Sequence, residues 1–339
     1  MNSPDARSYP PGQVSYTTKH PRLILAAGVV FSLLLILSLA EICLRLFFGL
    51  GDPLLYQSSP LYGYRLQPGQ HVHRINGAEI RVNNLGLRAE SDWDSKPERK
   101  ILFLGNSVTF GGTFLSNKEL FSHLAVQDLG GYVSGNGAVN GWGVENIHAL
   151  IVDYGFLPAS VYVTILEEMD FDRGLSKFAG QPFWSSKPRF ALEELLLLFC
   201  YNYLLSAHDG HDRFVTPRER EKAIERSVLK LKSLDDFIKS KGFVHRIYFS
   251  TDKPQLLEAR PADTLIMKLL RQYDLNSAFM KDRPELASLT REEIGNLFYD
   301  WNHLDKPGHE LWARMIGSDL KVLLQRRTDE AVHEEKYAH

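Results

Sequence analysis

The chain has 339 residues, room for one large domain with appendages, and its apolar and charged fractions of 44% and 24% allow a sizeable core. Lys plus Arg total 39 against 41 for Asp plus Glu, a near-neutral balance that gives no electrostatic basis for nucleic-acid binding, and no nucleic-acid motif is present. The two cysteines, Cys43 and Cys200, fall in different surroundings and are not expected to pair; no Cys/His cluster has zinc-site spacing, so no metal and no cofactor is expected.

Residues 1–22 lack apolar periodicity and read as a short cytoplasmic tail. Leu23–Ala40 follows as an uncharged run within the span of about 17–25 residues that crosses a bilayer core. Lys19, His20 and Arg22 precede it, which places the N-terminus inside and everything after Leu50 outside. A cleaved signal peptide competes with this reading, since Ser38-Leu39-Ala40 is a tolerable cleavage site. Against it, the run exceeds the usual h-region, and the helix continues to Phe48 with Glu41 and Arg45 placed to pair on one face. Ala40-Glu41-Ile42 before Cys43 is a poor lipobox. Residues 23–48 are therefore expected to be an uncleaved anchor.

Residues 51–98 are rich in turn formers, with extended pieces such as Glu79–Val82, and read as a lead-in packed on the main domain. Residues 99–325 carry the alternation of an α/β domain, and 326–339 is a polar, flexible tail. Lys100–Leu104 is an apolar run suited to a buried parallel strand. Ser116 with Glu119 forms a capping-box pattern opening a helix to about Leu129, and Val144–Tyr154 predicts another. Val161–Leu166 and His245–Ser250 predict strands, and Pro217 to about Lys241 a charged amphipathic helix. The apolar run Leu195–Phe199 is most simply a buried helix. Asp305 and Pro307 open a last helix to about Leu324.

Gly105-Asn106-Ser107 directly follows the first strand of the domain, at the end that borders the ligand crevice of a parallel sheet. Gly105, Gly111 and Gly112 around it would let a substrate approach the backbone. Serine needs a base in hydrogen-bond reach, and Asp300-Trp301-Asn302-His303 offers an imidazole with a carboxylate to orient it, both from one loop. Taken singly, a serine in a glycine-rich turn is ordinarily a turn residue, and Asp-x-x-His recurs by chance. Their order and their placement at opposite ends of the α/β pattern give the pair its weight.

The stretch Ile101 to Gly111, reading ILFLGNSVTFG, resembles the first block of SGNH (GDSL-type) hydrolases. Asp300-Trp301-Asn302-His303-Leu304 resembles their last block, and Asn136-Gly137-Ala138-Val139-Asn140-Gly141-Trp142-Gly143 their second. Val82–Arg88 and Glu41–Arg45 are similar to segments of membrane-anchored bacterial members. The resemblance implies a flavodoxin-like three-layer α/β/α sandwich with a parallel sheet, preceded here by one N-terminal transmembrane helix. It also implies Ser107 as nucleophile, His303 as base, Asp300 as its orienter, and an oxyanion hole from the backbone of Ser107 and Ala138 or Gly137.

Three departures stand out. Asn106 replaces the usual Asp, Ala138 falls on the usual oxyanion glycine, and Met169 occupies the place of an oxyanion Asn. Methionine cannot donate a hydrogen bond, and one lost donor costs on the order of 10²–10³ in rate. Asn140 is a candidate substitute. Glu167, Glu168 and Asp170 bring acid near the site and are expected to face solvent or pair with Arg173.

The expected activity is acyl-ester hydrolysis or O-acyl transfer outside a bacterial inner membrane, on O-acetyl groups of envelope or secreted polysaccharide. Trp142, Phe183, Trp184 and Trp301 are candidates for sugar stacking, with core packing the simpler role for most. A binding or assembly protein of a polysaccharide synthesis complex, with weakened catalysis, is the alternative. A lipid-active esterase is a third reading.

Overall fold

The structure, a computed structural model, describes residues 21–177, 183–200 and 216–337. Most of the expected N-terminal tail lies outside these. The strands are β1 (Tyr56–Ser59), β2 (Gly63–Leu66), β3 (Gln70–His73), β4 (Glu79–Val82), β5 (Lys100–Gly105), β6 (Val133–Asn136), β7 (Val161–Leu166), β8 (Val244–Phe249) and β9 (Ser277–Phe279). The helices that position the site are α1 (Pro21–Phe48), α2 (Ser107–Phe110), α3 (Phe121–Leu124), α4 (Val144–His148), α5 (Ala191–Cys200), α6 (Pro217–Ser240) and α7 (Lys306–Tyr337).

Five strands form a parallel sheet in the order β6-β5-β7-β8-β9. Side chains alternate across it, as the pleat requires. Ile101 and Phe103 of β5 join Val161, Val163 and Ile165 of β7 on one face, under Trp312, Ile316 and Leu320 of α7. Leu102, Leu104, Tyr162 and Leu166 face the other way, against Ile224, Val228, Leu231 and Leu234 of α6. Two apolar cores on either side of one sheet make a three-layer α/β/α sandwich. Both faces of β5 and β7 are buried, which is why their sequences are continuous apolar runs rather than alternating ones.

Several expected helices are cut differently. The Ser116 capping box forms, but it opens only a single 3₁₀ turn. Leu120 then takes extended backbone (φ −77°, ψ 142°), burying its own side chain, before α3 restarts. Val144–Tyr154 begins as α4 and widens into a π-helical turn over Ala149–Asp153, where Tyr154 N–H reaches back to Ala149. The last helix continues past Leu324 to Tyr337.

The lead-in forms two antiparallel hairpins, β1–β2 and β3–β4. Arg88 then pairs with Asn136, each donating its N–H to the other's carbonyl at 2.9 Å, and so closes the β6 edge of the sheet. Leu54, Tyr56, Tyr64, Leu66 and Ile80 belong to the same core as β5 and α6.

Helix α1 is long and apolar enough to cross a membrane, and none of its apolar window is buried. The expectation of a buried helix at Leu195–Phe199 is corrected: the helix forms as part of α5, but Leu195 and Leu196 are 43% and 62% exposed. Both cysteines are free.

Candidate active site

Ser107 opens α2 directly after β5, and Asn106 caps that helix by accepting a hydrogen bond from Val108 N–H at 2.9 Å. His303 and Asp300 lie on the loop before α7, anchored by a bridge between Phe298 and Leu304. The fold brings these three together. Asp300 Oδ2 is 2.7 Å from His303 Nδ1, and His303 Nε2 is 2.8 Å from Ser107 Oγ. A carboxylate only accepts, so Nδ1 carries the proton and Nε2 is left to accept from the serine hydroxyl. Asp300 Oδ1 also accepts from the backbone N–H of His303 (2.8 Å) and Asn302 (3.0 Å). Partial burial alone would raise the Asp300 pKa, but these hydrogen bonds and the His303 ring hold it below the usual carboxylate value. A second hydroxyl–imidazole–carboxylate chain, Thr164–His245–Asp235, has similar distances of 2.9 and 3.0 Å, but it is buried and the His245 side chain is wholly sealed from solvent.

The glycines around Ser107 have a different role from the one expected. A Cβ on Gly105 would meet Thr109 Oγ1 at 2.3 Å and the Ile165 carbonyl at 2.6 Å. On Gly111, which ends α2 at φ +81°, it would meet Leu120 at 2.4 Å. The protein itself fills the space these residues leave, so they allow the Ser107 turn to pack rather than a substrate to approach.

The backbone donors expected beside Ser107 are engaged elsewhere. Gly137 N–H donates to the Phe103 carbonyl at 2.8 Å, extending the β5–β6 ladder. Ala138 N–H donates to Asn136 Oδ1 at 3.0 Å. The Ser107 N–H sits in the first turn of α2, where helix geometry supplies no internal acceptor. The Asn140 carbonyl accepts from the Tyr64 hydroxyl at 2.6 Å, and its side-chain Oδ1 is buried with no hydrogen-bond partner among the described residues. Met169 lies in a 3₁₀ turn after β7, with its Sδ 2.7 Å from Arg173 Nη2.

The acids after β7 do not all follow expectation. Asp170 pairs with Arg173 at 3.1 Å, as foreseen. Glu168 instead caps Asp263 N–H and accepts from Gln255. Glu167, expected to face solvent or pair with Arg173, is instead buried at 7% exposure. It accepts from Asn106 Nδ2 at 2.6 Å and from Asn302 Nδ2 at 3.3 Å, so one carboxyl holds the Ser107 turn and the His303 loop together. Asn106 Nδ2 also reaches Asp170 at 3.0 Å. This explains Asn at position 106: an Asp there would add a third acid to a buried acidic pair.

Burial and the neighbouring Asp170 push the Glu167 carboxyl well above the usual carboxylate range, and burial pushes Asp170 up as well. As pH rises above the ordinary carboxylate range, the unfolded chain therefore binds fewer protons at this pair than the folded one, and stability falls. Asp300, with its lowered pKa, acts oppositely and loses stability only in stronger acid. Glu167→Gln keeps an acceptor for both asparagines and removes the ionisation. It is expected to flatten the decline in melting temperature between pH 6 and 8, leaving the variant higher at pH 8 by roughly 2–4 °C for each kcal/mol recovered. An unchanged slope in the variant would assign the pH dependence to other groups.

Of the four candidate stacking aromatics, Trp142 and Trp184 are buried, and Phe183 packs edge-on against Tyr56 at 5.0 Å. Trp301 stays 47% exposed, and Tyr299, on the other side of Asp300, is 64% exposed and stacks on Phe114 at 4.4 Å. One grouping not foreseen, His71, His73 and Glu79 on the β3–β4 hairpin, has potential metal-donor atoms within 4.8 Å of one another; all three are exposed.

No protein-family profile and no curated protein matches the chain. Among solved structures it is similar to a putative lipolytic protein of the G-D-S-L family from Desulfitobacterium hafniense, with 9% identity and a TM-score of 0.38 over 65% of this chain and 99% of that one. It is also similar to a lipolytic G-D-S-L protein from Veillonella parvula, with 12% identity and a TM-score of 0.36 over 63% and 94% of the two chains. A possible lipase from Chitinophaga pinensis gives 14% identity and a TM-score of 0.35 over 66% and 98%.

Proposed function

We propose that the chain is a serine ester-processing enzyme of SGNH type, anchored by α1 with its α/β domain outside a bacterial cytoplasmic membrane. The observation that carries this reading is the continuous Asp300–His303–Ser107 hydrogen-bond chain at the C-terminal end of β5, reached from solvent. Ser107 Oγ attacks the ester carbonyl as its proton passes to His303 Nε2. The tetrahedral intermediate collapses, and the same proton goes to the departing alcohol. Water then releases the acyl group by hydrolysis, or a sugar hydroxyl takes it by transfer. Asp300 orients the ring and stabilises its charged form. O-acetyl groups on envelope or secreted polysaccharide are the proposed substrate class, supported by the exposed rings of Tyr299 and Trp301 flanking Asp300, which suit stacking on sugars.

A catalytically weakened glycan-binding or assembly role is the second reading. It is favoured by the oxyanion side of the site, where the Gly137 and Ala138 N–H groups are occupied and Met169 offers no donor. The two separate by release of acetate from an aryl acetate, measured on the full chain in detergent. The full chain is needed because Glu41 and Arg45 contact residues 189–192, and truncation at Gly51 would remove both. Met169→Asn is expected to raise the rate by up to about 10²–10³-fold if position 169 faces the oxyanion. Inactivity of both wild type and Met169→Asn would favour the binding role.

A further inference from the structure

Helix α5 turns one acid inward and two leucines outward. Ala191 and Glu194 are at 1% exposure or less, while Leu195 and Leu196 are 43% and 62% exposed; Glu193 is exposed, and Leu192, Leu197 and Leu198 are half-buried. In water a helix buries its leucines and exposes its acids. Glu194 is fully provided for: Arg74 Nη2 donates to it at 2.6 Å and Gly51 N–H at 2.6 Å. The inward acid is therefore built in rather than a strained accident.

The helix is also locked to α1. Glu41 accepts from the N–H groups of Ala191 (2.8 Å) and Leu192 (3.1 Å), closing the first turn of α5. Arg45 holds Glu41 at 2.7 Å and donates to the Arg189 carbonyl at 3.2 Å. Leu23–Ala40 rises about 27 Å as a helix, close to the thickness of a bilayer hydrocarbon core. Glu41 then marks the outer edge of that core, and α5 starts at the same level. Ile42, Leu46 and Phe47 on α1 and Phe190 just before α5 are likewise exposed, by 50% or more.

We infer that α5 is a second membrane element, lying in the outer interface of the bilayer with Leu195 and Leu196 toward the lipid chains, so that the domain is held at two points rather than swinging on one helix. Its occupant is lipid, because the exposed leucines continue the apolar surface of α1. The inference rests on α1 being retained as a membrane anchor, and the test separates the two.

Full-length protein with Cys43 and Cys200 changed to Ser is reconstituted in phosphatidylcholine–phosphatidylglycerol vesicles. An environment-sensitive fluorophore is attached at Leu196→Cys, at Leu35→Cys within α1, or at Leu229→Cys on α6 as the aqueous control. Lipids brominated along their chains serve as quencher. The expected result is blue-shifted emission and several-fold quenching at positions 35 and 196, with neither at 229. Quenching at 35 with water-like emission at 196 overturns the inference and leaves the anchor standing. A blue shift at 196 without quenching also overturns it, assigning the leucines to a protein contact. Absence of quenching at 35 removes the anchor and the inference together.

Discussion

Ser107→Ala is expected to lower ester cleavage by at least about 10³–10⁴-fold while leaving thermal unfolding essentially unchanged. The hydroxyl makes one side-chain hydrogen bond, to His303 Nε2, and Ser107 is only partly buried, so its loss leaves no orphaned group in the core. The N–H of residue 107 and the Asn106 cap on α2 both persist in the variant. Asp300→Asn is expected to approach the same loss by a different route: an amide can donate to the ring and favour the wrong tautomer, turning the base away from the serine. The measurement is aryl acetate turnover by the full chain, with a melting curve as control. Equal turnover by wild type and Ser107→Ala would sink the serine mechanism, and a melting temperature lowered by several degrees would mean that the hydroxyl is structural.

Arg88→Ala is expected to destabilise the domain by about 3–5 kcal/mol, because it orphans several buried acceptors at once. Arg88 is 3% exposed, and its guanidinium hydrogen-bonds to no carboxylate among the described residues. Its guanidinium donates instead to the carbonyls of Phe110 and Gly112 at 2.7 Å and Leu115 at 2.8 Å, and to Asn117 Oδ1 at 3.1 Å. Burial lowers its pKa to about 9, which leaves the group charged at neutral pH. The whole segment that follows α2 is thus moulded on one side chain from the lead-in. A drop in melting temperature of roughly 10 °C is expected by calorimetry. Arg88→Lys should recover only a small part of it, since an ammonium cannot reproduce the planar fork. A drop of under about 2 °C for Arg88→Ala would show that the carbonyls find other donors, and the lead-in would then be an appendage rather than part of the site.

The dependence on Arg88 also shows where reading residues in order stops being enough. Val82–Arg88 could be singled out by its resemblance, but nothing local says that the guanidinium reaches residues 110–117. The same holds for Glu167, whose amide partners lie 61 and 135 residues away in the chain. As one acid among three after a strand, it carries no local mark that distinguishes it from Glu168. The expected helix over residues 116–129 failed for a related reason. Its capping box is real, but Leu120 buries itself through extended backbone, and the ring of His309, from the far end of the chain, accepts the Phe121 N–H at 3.1 Å.

What the sequence alone determined is what nearest neighbours decide: the apolar runs of β5 and β7, Asp305 and Pro307 at the start of α7, the uncharged length of α1, and the local Asp300–His303 spacing. These follow from side-chain periodicity, φ restriction and capping, all of which act within a few residues. Only the tertiary structure decided that Ser107 and His303 meet across 196 positions, that Glu167 ties their loops together, that the Gly137 and Ala138 N–H groups are already occupied, and that Leu195 and Leu196 of α5 face outward. Those outcomes depend on which distant group is left to satisfy a buried donor or acceptor once the sheet has closed, and that choice is made by packing rather than by local pattern.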